Sequence, residues 1–302
     1  MIAIFGPTAS GKTAVAEAIA GRIAAELISA DSAQVYRGLP ILTNQPSVPT
    51  QLVAIWGLEH EASVGEYQRL AHAAIDRALK RGRTAVVVGG TGLYLRAALA
   101  DLALPPAPAP GARDRWERLY DRLGPRGAHD VLAGRDPTAA AAVHPNDRRR
   151  VIRGLELAEV GLSLRPSRDR LWSRETRHPA AVFGLELPPE VLARRIEERT
   201  RKMFESGVEA EARAALARPL SPTAAKVMGL DEAAGLPREA AVDALVARTR
   251  RYAAYQRKWM RRLPGLIRVD ADRPAEEVAS EVLELAGAGQ RLPADRRARP
   301  DC

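Results

Sequence analysis

Cysteine is all but missing from this chain: the single Cys302 excludes an intrachain disulfide and a cysteine-built metal cluster. No apolar run approaches the ~18–20 residues that span a bilayer. The first residues form a short strand-like run rather than a basic leader with a cleavage site, so a cytoplasmic location is expected. Internal repeats are lacking as well, which argues against a solenoid. What remains is a chain of 302 residues, 46% hydrophobic and 27% charged, the composition of a globular protein of one or two domains. The formal net charge of +9 comes mostly from arginine, whose planar fork suits phosphates and bases. A polyanionic partner and a merely arginine-rich proteome both account for it.

The apolar run Ile2–Phe5 is closed by glycine, and an alanine-rich helix is expected from residue 12 to about residue 25. Residues 26–30 read as a second strand that ends at Asp31. Residues 84–88 (TAVVV) read as a buried strand running into Gly89-Gly90-Thr91-Gly92, with a helix over 64–81 between the two. Alternating strands and helices imply a parallel sheet, which binds ligands at the carboxyl ends of its strands. Alternating prolines at 104–111 mark a connector. Residues 113–178 are helical in character and rich in arginine, 181–187 return to the sheet, 190–217 read as one long helix, and 266–269 as a last strand. The expected fold class is α/β: a core of phosphate-loop NTPase type, a parallel sheet flanked by helices, made of residues 1–110 and 180–289. An all-helical domain is inserted at 111–179, and residues 290–302 form a charged tail. A linear two-domain chain is the alternative.

The stretch Gly6, Pro7, Thr8, Ala9, Ser10, Gly11, Lys12 and Thr13 (GPTASGKT) matches a phosphate-binding loop in its required setting of strand before and helix after. Its backbone N–H groups and helix N-terminus suit anionic oxygens, Lys12 reaches the outer phosphate, and Thr13 can ligate Mg²⁺. The loop accepts any pyrophosphate. The TAVVV strand lacks the terminal carboxylate with which many phosphate-loop hydrolases hold magnesium and position water. The nearest carboxylate is Asp31, followed by Ser32, Ala33 and Gln34. Such a carboxylate suits deprotonating a nucleophile, and equally suits capping a helix.

Six blocks in order, GPTASGKT, DSAQVYRG, VGGTGLYLRA, DPTAAAAVHPNDRRRVIRGLELAEVG, RIEERTRKMFESGVEAEA and TRRYAAYQRKWMRR, resemble the bacterial tRNA dimethylallyltransferase family over nearly the whole chain. The resemblance implies transfer of a dimethylallyl group from dimethylallyl diphosphate to the exocyclic amine of the adenosine 3′ of the anticodon, with pyrophosphate as leaving group and Mg²⁺ near Thr13. It assigns the general base to Asp31, contacts to the tRNA anticodon stem-loop to Asp31, Ser32, Ala33 and Gln34, a channel-lining place to Thr91, and a leaving-group cation to Arg199. Arg113 matches a tRNA-contact position, and in the inserted domain that grips the tRNA the run Arg148, Arg149 and Arg150 suits phosphates by its composition. A monomer is expected, since gripping one stem-loop requires no second subunit.

Each assignment has a plainer counterpart. Thr91 is also a turn residue. Arg195, Arg199 and Lys202 share a helical face whose plainer reading is a solvated basic face paired with Glu197 and Glu198. Tyr252, Tyr255 and Trp259, among basic residues on one helix, are either RNA contacts or core anchors. The chain also departs from the family pattern: Pro40-Ile41-Leu42-Thr43-Asn44-Gln45-Pro46 lacks the lysine of that segment, Leu230 follows Gly229 where tyrosine is usual, and Gly154 replaces a better helix former. Three rival readings are prenyl transfer to free AMP, a nucleotide or small-molecule kinase, and an RNA-binding protein with a relic nucleotide site.

Overall fold

The structure, a computed structural model, describes residues 1–106, 108–164 and 170–290. The expected tail at 290–302 falls outside them apart from Gln290. Residues 1–101 and 174–290 form one compact unit and Leu102–Ser173 a second. The chain leaves the first unit and returns to it, with the crossing points at 101–102 and 173–174; the sequence pattern put them near 110 and 180.

The first unit is built on a six-stranded sheet in which every pairing is parallel, in the order β3-β2-β4-β1-β5-β6. Its strands are β1 (Ile2–Phe5), β2 (Ala25–Ser29), β3 (Thr50–Gln51), β4 (Thr84–Gly89), β5 (Ala181–Glu186) and β6 (Leu266–Asp270). β1 lies in the middle, pairing Ile4 with Val88 on one side and with Phe183 on the other. Strands covered on both faces read as continuous apolar runs, and IAIF and TAVVV do so because β1 and β4 are central.

Helix α1 (Lys12–Ala20) packs against α11 (Ala275–Gln290), and Val15, Ile19, Val278 and Val282 join Ile2 and Ile4 in one core cluster. α2 (Val64–Lys80) and α3 (Gly92–Leu99) pack together on β2 and β4. Ser63 caps α2, its hydroxyl accepting the Glu66 N–H at 3.1 Å. The first helix stops at Gly21, short of the expected residue 25, because β2 begins at Ala25. The helix expected over 190–217 is two: α7 (Pro189–Glu205) and α8 (Val208–Leu216), separated by Gly207 at φ 91°. A left-handed glycine ends a helix at little cost, whatever the apolar periodicity beyond it. α9 (Leu230–Gly235) and the 25-residue α10 (Arg238–Arg262) complete this unit. Leu230 is buried, so the position where the family pattern has tyrosine faces the interior here.

The second unit consists of α4 (Ala112–Arg135), kinked at Gly124-Pro125, α5 (Pro137–Ala141) and α6 (Arg148–Glu159), with no strand among its described residues. Its core joins Trp116, Tyr120, Leu132, Val151 and Leu155. Gly154 has a packing role: a Cβ there would meet Leu132 at 2.8 Å, so glycine lets α4 and α6 approach. Glu156, its side chain fully buried, accepts from Arg113 Nε and Arg153 NH1, each at 2.9 Å. No described helix of the protein is long and apolar enough to cross a membrane.

Candidate active site

Residues 6–13 follow β1 and lead into α1. Ala9 (φ 63°) and Gly11 (φ 86°) adopt left-handed backbone, the alternation that turns successive N–H groups toward one point and makes an anion-binding concavity. Lys12 Nζ donates to the Pro7 carbonyl at 2.8 Å, curling its side chain over the loop. Withdrawal from solvent is the largest influence on Lys12 and lowers its pKa to about 8; Asp31 opposes this and Arg199 adds to it. The Ser10 hydroxyl and Arg199 Nε are buried and lack hydrogen-bond partners among the described residues. Two unsatisfied donors beside an anion loop fit an anionic ligand.

Asp31 stands just beyond β2. Its Oδ1 accepts the Ala33 N–H at 2.9 Å, so the carboxylate braces a turn and caps no helix, with its second oxygen left for other partners. Arg199, half-buried on α7, has its pKa lowered by burial, with Asp31 opposing. Asp31 also helps raise the pKa values of Tyr67, Tyr94 and Tyr252, behind desolvation as the main cause in each. One carboxylate is thus felt by two cations and three phenols.

Of the three basic residues on the α7 face, Arg195 pairs with Asp272 at 3.3 Å and Lys202 is exposed, whereas Arg199 is withdrawn from solvent and feels the charge of Asp31. Thr91 heads α3; its Oγ1 accepts the Ser32 N–H at 3.2 Å and lies 3.3 Å from the Ser32 hydroxyl, tying the ends of β2 and β4 together. The glycines around it each admit a neighbour: a Cβ on Gly89 would lie 2.1 Å from the Ala30 carbonyl, one on Gly90 2.2 Å from Gln256 Nε2, and one on Gly92 2.2 Å from the Trp259 ring.

Gln34 belongs to the Asp31 segment, but its amide is engaged within the chain. Nε2 donates to the Asn44 carbonyl at 2.8 Å and the Thr43 carbonyl at 3.3 Å, while Oε1 accepts from Ser29 Oγ at 2.8 Å. Gln34 therefore shapes the 39–45 turn, and Glu211 holds the same turn by accepting the Ile41 and Leu42 N–H groups at 2.9 and 2.7 Å.

The sequence reading missed Gln256 and left Tyr252 open. Tyr252, Gln256 and Trp259 occupy one α10 face at spacings of four and three, turned toward residues 90–92, while Tyr255 is 54% exposed. The buried Tyr252 hydroxyl lies beside Thr91 and Gln256, and its pKa is raised to about 12, chiefly by burial. A polar residue one turn from buried Ala253 and Met260 was the available signal for Gln256.

The first unit therefore gathers residues 6–13, Asp31, Ser32, Ala33, Thr91 and Arg199 at the carboxyl edge of the sheet. Arg113, Arg148, Arg149 and Arg150 belong to the second unit. There Arg113 is paired with buried Glu156, Arg148 with Asp121 while lying 5.1 Å over the Tyr120 ring, and Arg150 with Asp147 at 3.6 Å; Arg149 is exposed.

A carboxylate opposite an anion loop and two cations has the make-up of a group-transfer site, where a negatively charged leaving group departs as a base takes a proton. Comparison with known proteins narrows the class. A family model described as IPP transferase matches residues 34–263, and one described as isopentenyl transferase matches residues 1–51. The chain belongs to the IPP transferase family. It is 37% identical over 286 residues to a tRNA dimethylallyltransferase of Corynebacterium jeikeium (90% of this chain, 92% of that protein) and 38% identical over 296 residues to one of Anaeromyxobacter sp. strain K (94% and 97%). Among solved structures, the tRNA isopentenylpyrophosphate transferase of Bacillus halodurans superposes with a TM-score of 0.68 at 31% identity, covering 96% of this chain and 98% of that one. A eukaryotic dimethylallyltransferase, solved in the course of acting on tRNA, superposes with a TM-score of 0.79 at 25% identity, covering 99% and 82%.

Proposed function

We propose that this protein transfers a dimethylallyl group from dimethylallyl diphosphate to the exocyclic amine of the adenosine 3′ of the anticodon in tRNA, releasing pyrophosphate. The observation that carries this reading is Asp31 set among Lys12, Arg199 and Thr91, with Gly89-Gly90, and no carboxylate, where β4 ends. The adenine amine is a weak nucleophile because its lone pair is delocalised into the ring. As its nitrogen bonds to the allylic carbon, the carbon–oxygen bond to diphosphate breaks and the amine proton passes to Asp31. Residues 6–13, Lys12 and Arg199 receive the leaving group's growing charge, and the unsatisfied Ser10 hydroxyl and Arg199 Nε are donors aimed at such an anion.

Thr13 stands in the first turn of α1 and offers a hydroxyl beside the anion loop. No group of three or more His, Cys, Asp or Glu side chains among the described residues could hold a metal ion. Thr13 is the residue that would hold magnesium beside the diphosphate, where the ion would supply further positive charge to the leaving group.

The second unit reads as the tRNA-gripping part, with Arg148, Arg149 and Arg150 as phosphate contacts. Arg148 and Arg150 would exchange carboxylates for phosphates, whereas Arg113 is held by a fully buried carboxylate and contributes chiefly to that unit's stability. We take the protein to act as a cytoplasmic monomer on one anticodon stem-loop.

The test is label transfer from dimethylallyl diphosphate to unmodified tRNA or to AMP, with magnesium, in the wild type and Asp31→Ala. Label in tRNA alone, reduced at least about 1,000-fold in the variant, is the expected result. Label in AMP, or ATP-dependent phosphorylation instead, would sink the proposal.

A further inference from the structure

We infer that Gln256 is a positioning residue that fixes the phosphate loop against the Gly90-Thr91 corner, and so sets the leaving-group side of the site relative to Asp31. This rests on the transfer chemistry proposed above.

Gln256 lies on α10 and is 2% exposed. Its Oε1 accepts the Thr8 N–H at 2.8 Å, and its Nε2 donates to the Gly90 carbonyl at 2.8 Å. One planar amide thus bridges the loop after β1 and the loop after β4, the two segments that carry the anion cradle and Thr91. A carboxamide fits both partners at once, because it accepts at one end and donates at the other; an ionised carboxylate only accepts, and a thioether or alkyl group does neither usefully.

A second observation bears on the same point. A Cβ on Gly90 would lie 2.2 Å from Gln256 Nε2 and 3.2 Å from the Gly6 carbonyl, so the glycine at 90 leaves room for this amide and for the loop beside it. A third is that Tyr252, one turn earlier on α10, places its buried hydroxyl beside Thr91 and Gln256. Thr91 in turn holds Ser32, the neighbour of Asp31. Hydrogen bonds run from Thr8 through Gln256 to Gly90, and the residue after Gly90 is Thr91, which holds the Asp31 segment. Gln256 reaches no reacting atom itself; it acts on the distance between groups that do, and a misplacement of about 1 Å in such a site costs on the order of 100-fold in rate.

The experiment compares the wild type with Gln256→Met, which keeps side-chain length without the amide, and Gln256→Glu. Steady-state transfer to tRNA is measured from about pH 6 to about pH 8, with amide hydrogen exchange read over residues 6–13 and 88–92. For Gln256→Met, kcat is expected to fall about 30- to 100-fold, with KM for tRNA changed less than about threefold and exchange faster in both segments. For Gln256→Glu, the activity ratio to wild type is expected to rise as the pH falls, because a protonated carboxyl both accepts and donates. A kcat within twofold of wild type, a loss confined to KM for tRNA, or a Gln256→Glu ratio flat with pH would overturn the inference. Hydrogen exchange needs no substrate: if the wild type transfers no prenyl group, the proposed function fails, while unchanged protection of both segments in Gln256→Met separately refutes the bridge.

Discussion

Lys12 is placed where burial works against its charge, and replacing it with methionine should stabilise the ligand-free protein. Burial lowers its pKa from 10.5 to about 8. Below pH 8 the amine is charged in both folded and unfolded chains, and the folded state bears the whole penalty, about 3 kcal/mol by the linkage between pKa and stability. Between about 8 and 10.5 the folded protein releases the proton while the unfolded chain keeps it, so wild-type stability climbs by about 1.4 kcal/mol per pH unit; above 10.5 the penalty is gone. Methionine also forfeits the hydrogen bond to Pro7, worth about 1 kcal/mol. Lys12→Met is then expected to be about 2 kcal/mol more stable than wild type at pH 7, and less stable at pH 10.5. Urea midpoints of the first unit, followed by hydrogen exchange in β1 and β4 across this pH range, check it. A variant less stable at pH 7, or a stability difference that stays constant with pH, would refute the electrostatic account.

Three further outcomes follow from the packing. Gly89→Ala should cost about 2–3 kcal/mol in thermal or urea unfolding, because its methyl would lie 2.1 Å from the Ala30 backbone, which cannot swing aside as a side chain can. Glu156→Leu should loosen the second unit by about 2–3 kcal/mol, at the low end for a broken buried pair because Arg113 and Arg153 can rehydrate, as read by exchange in α4 and α6. Ser63→Ala should cost about 1 kcal/mol, seen as faster exchange in the first turn of α2 without change in α3.

Central strands were the most legible part of the sequence. IAIF and TAVVV are buried on both faces, so composition alone marks them, and their glycine endings locate the site's edge. β3, with two residues pairing Leu27 to Thr50 and Ile28 to Gln51, has too little periodicity to notice. The break between α7 and α8 was written in Ser206-Gly207, but the apolar spacing on either side outweighed one glycine. Asp31, Lys12 and Thr91 could be placed because each closes or follows a strand in a parallel sheet. Gln256 could not, since its partners Thr8 and Gly90 are distant in the chain and only the tertiary fold brings a carboxamide to them. Arg113 shows the reverse: a lone arginine reads as a free cation until its buried carboxylate partner is seen.

The bridge from α10 has a consequence for biosynthesis. Gly90 and Gln256 are 166 residues apart, and Thr8 and Gln256 are 248 apart. At ordinary translation speeds the ribosome needs about 10–30 s to add the helix after the β4 loop has emerged. For that interval the nascent chain carries its anion loop, its carboxylate and its threonine without the amide that joins them. Competence arrives late and all at once, when the last helices dock, so a ribosome that stalls before α10 releases a half-finished fold with no transferase in it.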